Sequence, residues 1–407
     1  MNGEQDIPRI KQDPTDPEFV GNPYDFYREI RALGDFVFWE DYGIVVSTTH
    51  VATSALMRHP RLGRKPVAVP PEATGDGLEN FMALERYSLL ELEPPDHTRI
   101  RRAAMRGFDR ARIAGMAPDI SRTADRLIDG FARGPFDFID GFAHPFPAAI
   151  ITRFFGLPAD MAGQLQSWSN DMVAMYQARR SPELEQRADA SSREFAQYLR
   201  EVLSKRGQAP TGDFLSDLIR AEADGTFNST EELLSTVVLL LNAGHEASVH
   251  AIGHAVHLLA DHPDRTLFLE PTNITGTVEE CLRYRPPVHM FKREVYEDVR
   301  IEGHDFAKGQ IVGCLLGSAC RDDAIWPDGD RFDPLRARRP HLAFGTGIHT
   351  CLGATLARLE LQIALPALFS RCPGLKVVEP PKLADRYHFH GLEKLMVEVI
   401  PEVTSST

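Results

Sequence analysis

Apolar residues recur three and four positions apart over most of the chain from about residue 97 to 285, as in RTADRLIDGFA, in SREFAQYLREVLSKRG and in the run after Ser229. That period predicts amphipathic helices. Strand-like runs are shorter. FVFWE and GIVVSTT form one group near the start, and VRIEG, QIVGC, LKVVE and LMVEVI form another near the end, each bounded by turn residues. The pattern predicts a mainly α chain with small β-sheets, an α+β arrangement, without a fixed-period repeat or an interdomain linker. Two stretches lack either period: RKPVAVPPEATGDG at 64–77, rich in Pro and Gly, and RDDAIWPDGDRFDPLRARRPHLAFGTGIHTCLG, which runs into an apolar helix near Cys351. Irregular segments of that length inside a folded chain usually carry function.

Composition narrows the class. At 407 residues, with 43% hydrophobic and 25% charged side chains, the chain holds ample material for a deep core. The opening MNGEQDIPRIKQDPTDPEF has no apolar stretch behind a basic start, and the apolar run VVLLL at 237–241 is far too short for a span, so a cytoplasmic protein without membrane segments is expected. Five cysteines in no regular spacing argue against a disulfide framework. With 45 basic against 58 acidic side chains the net charge is -13, which argues against nucleic acid as a partner. One region departs from that balance: six arginines and one acid lie between Arg99 and Arg112, either a solvated helix face or a docking patch.

The strongest chemical signal is Phe344-Gly345-Thr346-Gly347-Ile348-His349-Thr350-Cys351-Leu352-Gly353, followed by the helical ATLARLELQIALPAL. Glycines at 345, 347 and 353 let the backbone approach a flat group closely. Cys351 falls at a helix start, where amide donors and the helix dipole lower a thiol's pKa and favour a metal-ligating thiolate. A cysteine elsewhere is usually a small buried hydrophobe, and a zinc site would need a second Cys or His pair at ligand spacing, which this segment lacks.

At its defining positions this segment resembles the haem-binding signature of the cytochrome P-450 superfamily. Glu280-Cys281-Leu282-Arg283 followed by Tyr-Arg-Pro-Pro-Val resembles the family's second signature, a carboxylate and a guanidinium three apart on one helix face. The resemblance extends over nearly the whole chain and implies one P-450 domain over 1–407. Its β-rich part would lie mainly at 1–60, 286–313 and 373–400, and its α-rich part mainly at 80–285 and 351–370. The family fold is a triangular helix-rich prism with haem b between a long central helix and the Cys-loop helix. Cys351 is then the axial iron ligand, whose electron push favours cleavage of the O–O bond. Phe344, Gly345, Gly353, Ala243 and Gly244 lie against the haem, while His97, Arg101, Arg293 and His349 hold its propionates. Glu280, Arg283 and Arg331 form a structural trio.

Ser229-Thr-Glu-Glu232 reads as a capping box opening one helix to about Ala260, the central helix of the resemblance. There Glu246 keeps the family's acid, but Ala247 replaces its alcohol and Ser248 follows. A methyl group cannot hydrogen-bond at the reacting centre, so protons must come from ordered water, from the substrate's own hydroxyl or from an unusual donor. Ser248 is turned about a hundred degrees from Ala247. His245 reads as a packed helix residue, and His250, His254 and His257 as a polar face turned from the haem. The resemblance places the pocket at the loop from Phe81 to Leu90, at Leu239, Leu240 and Ala243, at Val288, His289, Met290 and Phe291, and at Phe389, His390, Gly391 and Leu392. The helices from 163 to 205 match the family's lid.

No dinucleotide-binding fingerprint is present, so electrons would come from a ferredoxin or flavodoxin with its reductase, docking on Arg102, Arg106, Arg110 and Arg112. The expected function is oxygen insertion from O2, by hydroxylation or epoxidation, into a small, mostly apolar molecule. A peroxide-driven peroxygenase and a haem-based sensor or carrier are the alternatives.

Overall fold

A six-stranded sheet joins segments far apart in the chain, in the order Arg9–Ile10, Phe36–Trp39, Ile44–Ser47, Ile311–Leu315, Met290–Val295 and Leu62–Gly63. Its centre pairs Ile44–Ser47 parallel to Ile311–Leu315, which in turn runs antiparallel to Met290–Val295. The computed structural model describes residues 7–65, 77–176, 180–384 and 387–400; most of the proline-rich stretch at 64–77 lies outside them. Among the described residues, the strands expected from FVFWE, GIVVSTT, VRIEG, QIVGC, LKVVE and LMVEVI all form.

Helices make up most of the rest, around one extended apolar core. Phe138, Phe142 and Phe146, four apart, stack in series with centroids 5.2 and 5.1 Å apart. Burying each ring contributes about 1.5–3 kcal/mol. Two smaller clusters fix the sheet against the helices Tyr24–Leu33 and His50–Arg58.

The central helix starts as its capping box predicts. The Ser229 hydroxyl accepts from the Glu232 amide at 3.3 Å, and the Glu232 carboxylate turns back to the Asn228 amide at 2.8 Å. The helix is nevertheless not continuous to Ala260. It runs Thr230–Ala243, breaks at Gly244–His245 and resumes as Glu246–Leu259. Glycine is a poor helix former, and at the break the His245 amide bonds Asn242 O in a tight turn at 3.3 Å. Glu246 therefore opens the second half rather than sitting in mid-helix.

Candidate active site

Cys351 is carried on a loop shaped by two left-handed glycines, Gly345 at φ 67° and Gly347 at φ 78°. A side chain at Gly347 would reach within 2.6 Å of Met57 O, so only glycine allows the loop to lie on the helix His50–Arg58. The Cys351 amide donates to Phe344 O at 2.9 Å, and two residues later Gly353 caps the helix Ala354–Arg371. Contrary to the sequence expectation, the net effect on the Cys351 thiol is upward. Burial raises it, against the Gly353 and Ala354 amides and the Arg101 and Arg358 guanidinium groups, which lower it. Protein thus surrounds the residue, yet Cys351 keeps accessible surface. A thiolate there calls for a cation at the sulfur, which suits an iron ligand.

On the first half of the central helix, Leu239 and Ala243 keep accessible surface, although Val238, Leu240 and Asn242 are buried. Ala247 continues this four-residue spacing beyond the break. Leu240, by contrast, packs into the core.

Four cationic or basic groups gather at one edge. The His97 and His349 rings lie 4.4 Å apart, and His349 Nε2 contacts Glu93 Oε1 at 3.1 Å. Arg101, four residues from His97 on the helix Asp96–Gly107, donates to Thr350 O at 2.6 Å and so ties that helix to the cysteine loop. Arg293 is buried, with a hydrogen bond to Lys292 O at 3.0 Å. Among the described residues, neither ring nitrogen of His97 has a hydrogen-bond partner. Burial, with His349 and the Arg101 guanidinium beside it, lowers its pKa to about 4. This set fits the paired carboxylates of a haem edge, which would give the His97 nitrogens a partner and offset the charge on Arg101 and Arg293.

Beneath the loop, Arg283 holds Glu280 through two bonds of 2.7 Å and spends its remaining donors on Cys320 O, Gly329 O and Arg331 O. The third side chain of this trio is Arg336, whose Nε lies 3.1 Å from Glu280 Oε1. Arg331 was the expected third member; its side chain is exposed and only its carbonyl enters the network. The turn DRFDPLR brings the later arginine inward, with the Asp333 amide on Glu280 at 2.8 Å.

The Cytochrome P450 family model matches residues 274–386, which include both the Glu280–Arg283 pair and the cysteine loop. Cytochrome P450 107B1 of Saccharopolyspora erythraea is 39% identical over 76% of this chain and 76% of its own length. The biotin biosynthesis cytochrome P450 of Bacillus subtilis is 32% identical over 95% of this chain and 99% of its own. This chain belongs to the cytochrome P450 family. The solved structure of P450BioI with a hexadecenoic acid-ligated acyl carrier protein superposes on this P450 with a TM-score of 0.88, at 32% identity, covering 94% of this chain and 100% of that one. The fold is therefore the P450 fold, the cofactor is haem, and the enzyme is an oxidoreductase of the monooxygenase type.

Several expected pocket residues point elsewhere in this P450. Val288 bridges Phe389 across the pocket turn, so the adjacent His289 and His390 fall on the opposite side of the backbone. His289 Nδ1 lies 2.9 Å from Tyr27 Oη, and His390 Nε2 lies 3.1 Å from Val20 O. Met290 packs beneath the main sheet, whereas Phe291 is half-buried under the Arg64 guanidinium. Of the arginine patch, Arg102, Arg106 and Arg110 are exposed, but Arg112 is engaged by Asp217.

Other groups carry no sequence signature of their own. Glu360, on the Cys-loop helix, is buried with Ser248 as its partner, and burial raises its carboxyl to about 8. Ser248 thus turns away from the Ala247 position toward a neutral acid. Glu279 bonds Arg358 at 2.6 Å and His341 at 3.2 Å, and these partners outweigh its burial and draw it down to about 2. Arg358 stacks over Phe344 at 4.4 Å, beside the cysteine loop.

Proposed function

We propose that this P450 hydroxylates or epoxidises a small to medium, mostly apolar organic molecule of the polyketide, macrolide or terpenoid kind, with O2 and electrons from a separate ferredoxin or flavodoxin and its reductase. The observation that carries this reading is the apolar stripe of Leu239, Ala243 and Ala247, which keeps accessible surface along the central helix while the residues around it are mostly buried. Relatives named 6-deoxyerythronolide B hydroxylase and steroid C26-monooxygenase, 36% and 31% identical to this chain, support it.

In this reading the cofactor is haem b, with Cys351 at the iron and His97, Arg101, Arg293 and His349 at the propionates. Bound haem supplies oxygen activation, one atom of O2 entering the substrate and the other leaving as water at the expense of two electrons and two protons. The chain's own residues hold the substrate in an apolar setting and meter the protons. Glu246, buried at the helix break, is the acid that passes protons to the reaction, and Ser248 with Glu360 forms a second buried acid site. Ala247 offers no hydroxyl, so the substrate brings a hydroxyl or carbonyl near the oxidised carbon. The exposed Arg102, Arg106 and Arg110 lie near Met105 in sequence, itself 56% exposed, and with the exposed Ile348 of the cysteine loop they suit an acidic electron donor.

Oxygen uptake and product formation with reduced ferredoxin, set against peroxide alone, test this reading. Product formation that requires the reduced donor and O2 is expected. Equal turnover with peroxide alone would assign the chain to the peroxygenases.

A further inference from the structure

Glu246 does not face solvent directly. It is 6% exposed, and His250, one turn on and 5% exposed, places Nε2 at 3.4 Å from its Oε1. The His250 ring presses on the turn after His390, where a side chain at Gly391 would lie 1.9 Å from His250 Nδ1. Glycine at 391 is what lets the imidazole stand beside the carboxylate.

Behind this pair lies a layer of further imidazoles. His254 Nε2 contacts His390 O at 3.1 Å, the His254 and His390 rings stack at 5.4 Å, and His390 stacks on His289 at 4.5 Å. These carbonyl contacts assign the Nε2 proton in His254 and His390 and leave Nδ1 as the acceptor. Among the described residues, Nδ1 of His250, His254, His257 and His390 and Arg285 Nε have no hydrogen-bond partner, and His250 Nε2 meets the Glu246 carboxylate at ion-pair distance. Buried nitrogens of this kind are normally satisfied by ordered water. His257 and Arg285 are half-buried, so the layer reaches the surface. The titratable groups that act on His250 are Glu246 and His245 at the start of its own helix, His144, His254 and His390, with Asp140 beside His144 and Arg285 beside His254 and His390. Burial and the Arg285 charge hold His254, His289 and His390 low and therefore uncharged at neutral pH.

We infer that His250 is the residue that resupplies Glu246 with protons, drawn from water in the layer formed with His254, His390 and Arg285. The inference rests on the reading of Glu246 as the proton-delivering acid. When Glu246 gives its proton to the reaction it is left as a carboxylate. His250 returns a proton from Nε2 and takes one from water at its other ring nitrogen, so one proton moves inward and no electron moves. The relay explains how an acid without its neighbouring alcohol, cut off from bulk water, is recharged. It makes His250 a relay residue upstream of the reacting centre.

The test uses histidine-15N-labelled holoenzyme in its diamagnetic ferrous carbon monoxide form, with wild type and Glu246→Gln compared by ring-nitrogen shifts from pH 5 to 9. The His250 ring-nitrogen signals should differ between wild type and Glu246→Gln, because the carboxylate beside Nε2 is removed. Its signal staying unchanged would overturn the pairing, and this readout does not depend on how a His250 variant folds. In parallel, His250→Gln should lower product formed per electron about tenfold or more, with substrate KM and the carbon monoxide spectrum kept. Full coupling in His250→Gln but not in Glu246→Gln would overturn the relay and leave Glu246 in its role. Full coupling in both would remove the acid assignment as well, and uncoupling only in Glu360→Gln would move the route to Ser248 and Glu360.

Discussion

The two sides of the haem site treat their polar groups differently. Beneath the cysteine loop, Arg283 makes five hydrogen bonds, Glu280 receives two arginines and a backbone amide, and Glu279 takes Arg358 and His341. Along the central helix, among the described residues, the ring nitrogens of His245 and Nδ1 of His250 are buried without a hydrogen-bond partner. Buried charges that satisfy each other fix a shape, since removing one strands the other at low dielectric. Groups that the protein leaves unsatisfied are the ones available to a cofactor, to water or to a moving proton. The paired side holds the loop that carries Cys351, and the unpaired side is where chemistry enters.

The sharpest break of this contrast is Glu280→Gln, which leaves Arg283 and Arg336 buried without their carboxylate. Denaturant unfolding of the apoprotein should show a loss of about 3–5 kcal/mol. Arg336→Ala should follow it, while Arg331→Ala should stay within about 0.5 kcal/mol; the reverse order would return Arg331 to the trio. The unpaired side should show itself in pH. Burial lowers His245 to about 4 against 6.5 for an exposed imidazole, so the unfolded chain binds the extra proton first. Stability is therefore complete above about pH 6.5 and declines as pH falls toward 4. The loss is up to about 3 kcal/mol from this residue, and a His245→Gln apoprotein should lack that part of the slope. On the outer surface, reversing Arg102 and Arg106 to glutamate should raise the donor concentration needed for half-maximal rate about tenfold, and less at high salt. The smallest effect is expected from Ala247→Thr, with product per electron changing by about twofold or less because the substrate's own group already serves. A several-fold gain there would refute substrate assistance.

Local patterns carried much of this. The strands, the capping box at Ser229 and the cysteine loop are sequence-local features, and each appears where the residues predicted it. The misses depend on how distant segments meet. Arg331 and Arg336 sit five apart in one irregular turn, and only the path of that turn decides which reaches Glu280. His289 and His390 look like pocket residues until the Val288–Phe389 bridge fixes which way alternate side chains point. Glu360 is an unremarkable glutamate in an apolar helix, and nothing near it in sequence indicates that Ser248 lies against it. The break at Gly244–His245 was visible as a glycine but not as a helix end, because the apolar period continues through it.

The most direct test of the central claim is the visible spectrum of the purified, dithionite-reduced protein under carbon monoxide, taken for wild type and for Cys351→Ser. Ligation by Cys351 predicts a strongly red-shifted Soret band in the wild type and none in the variant. A haem that lacks this band in the wild type, or a band that survives the substitution, would contradict the assignment of Cys351 as the iron ligand.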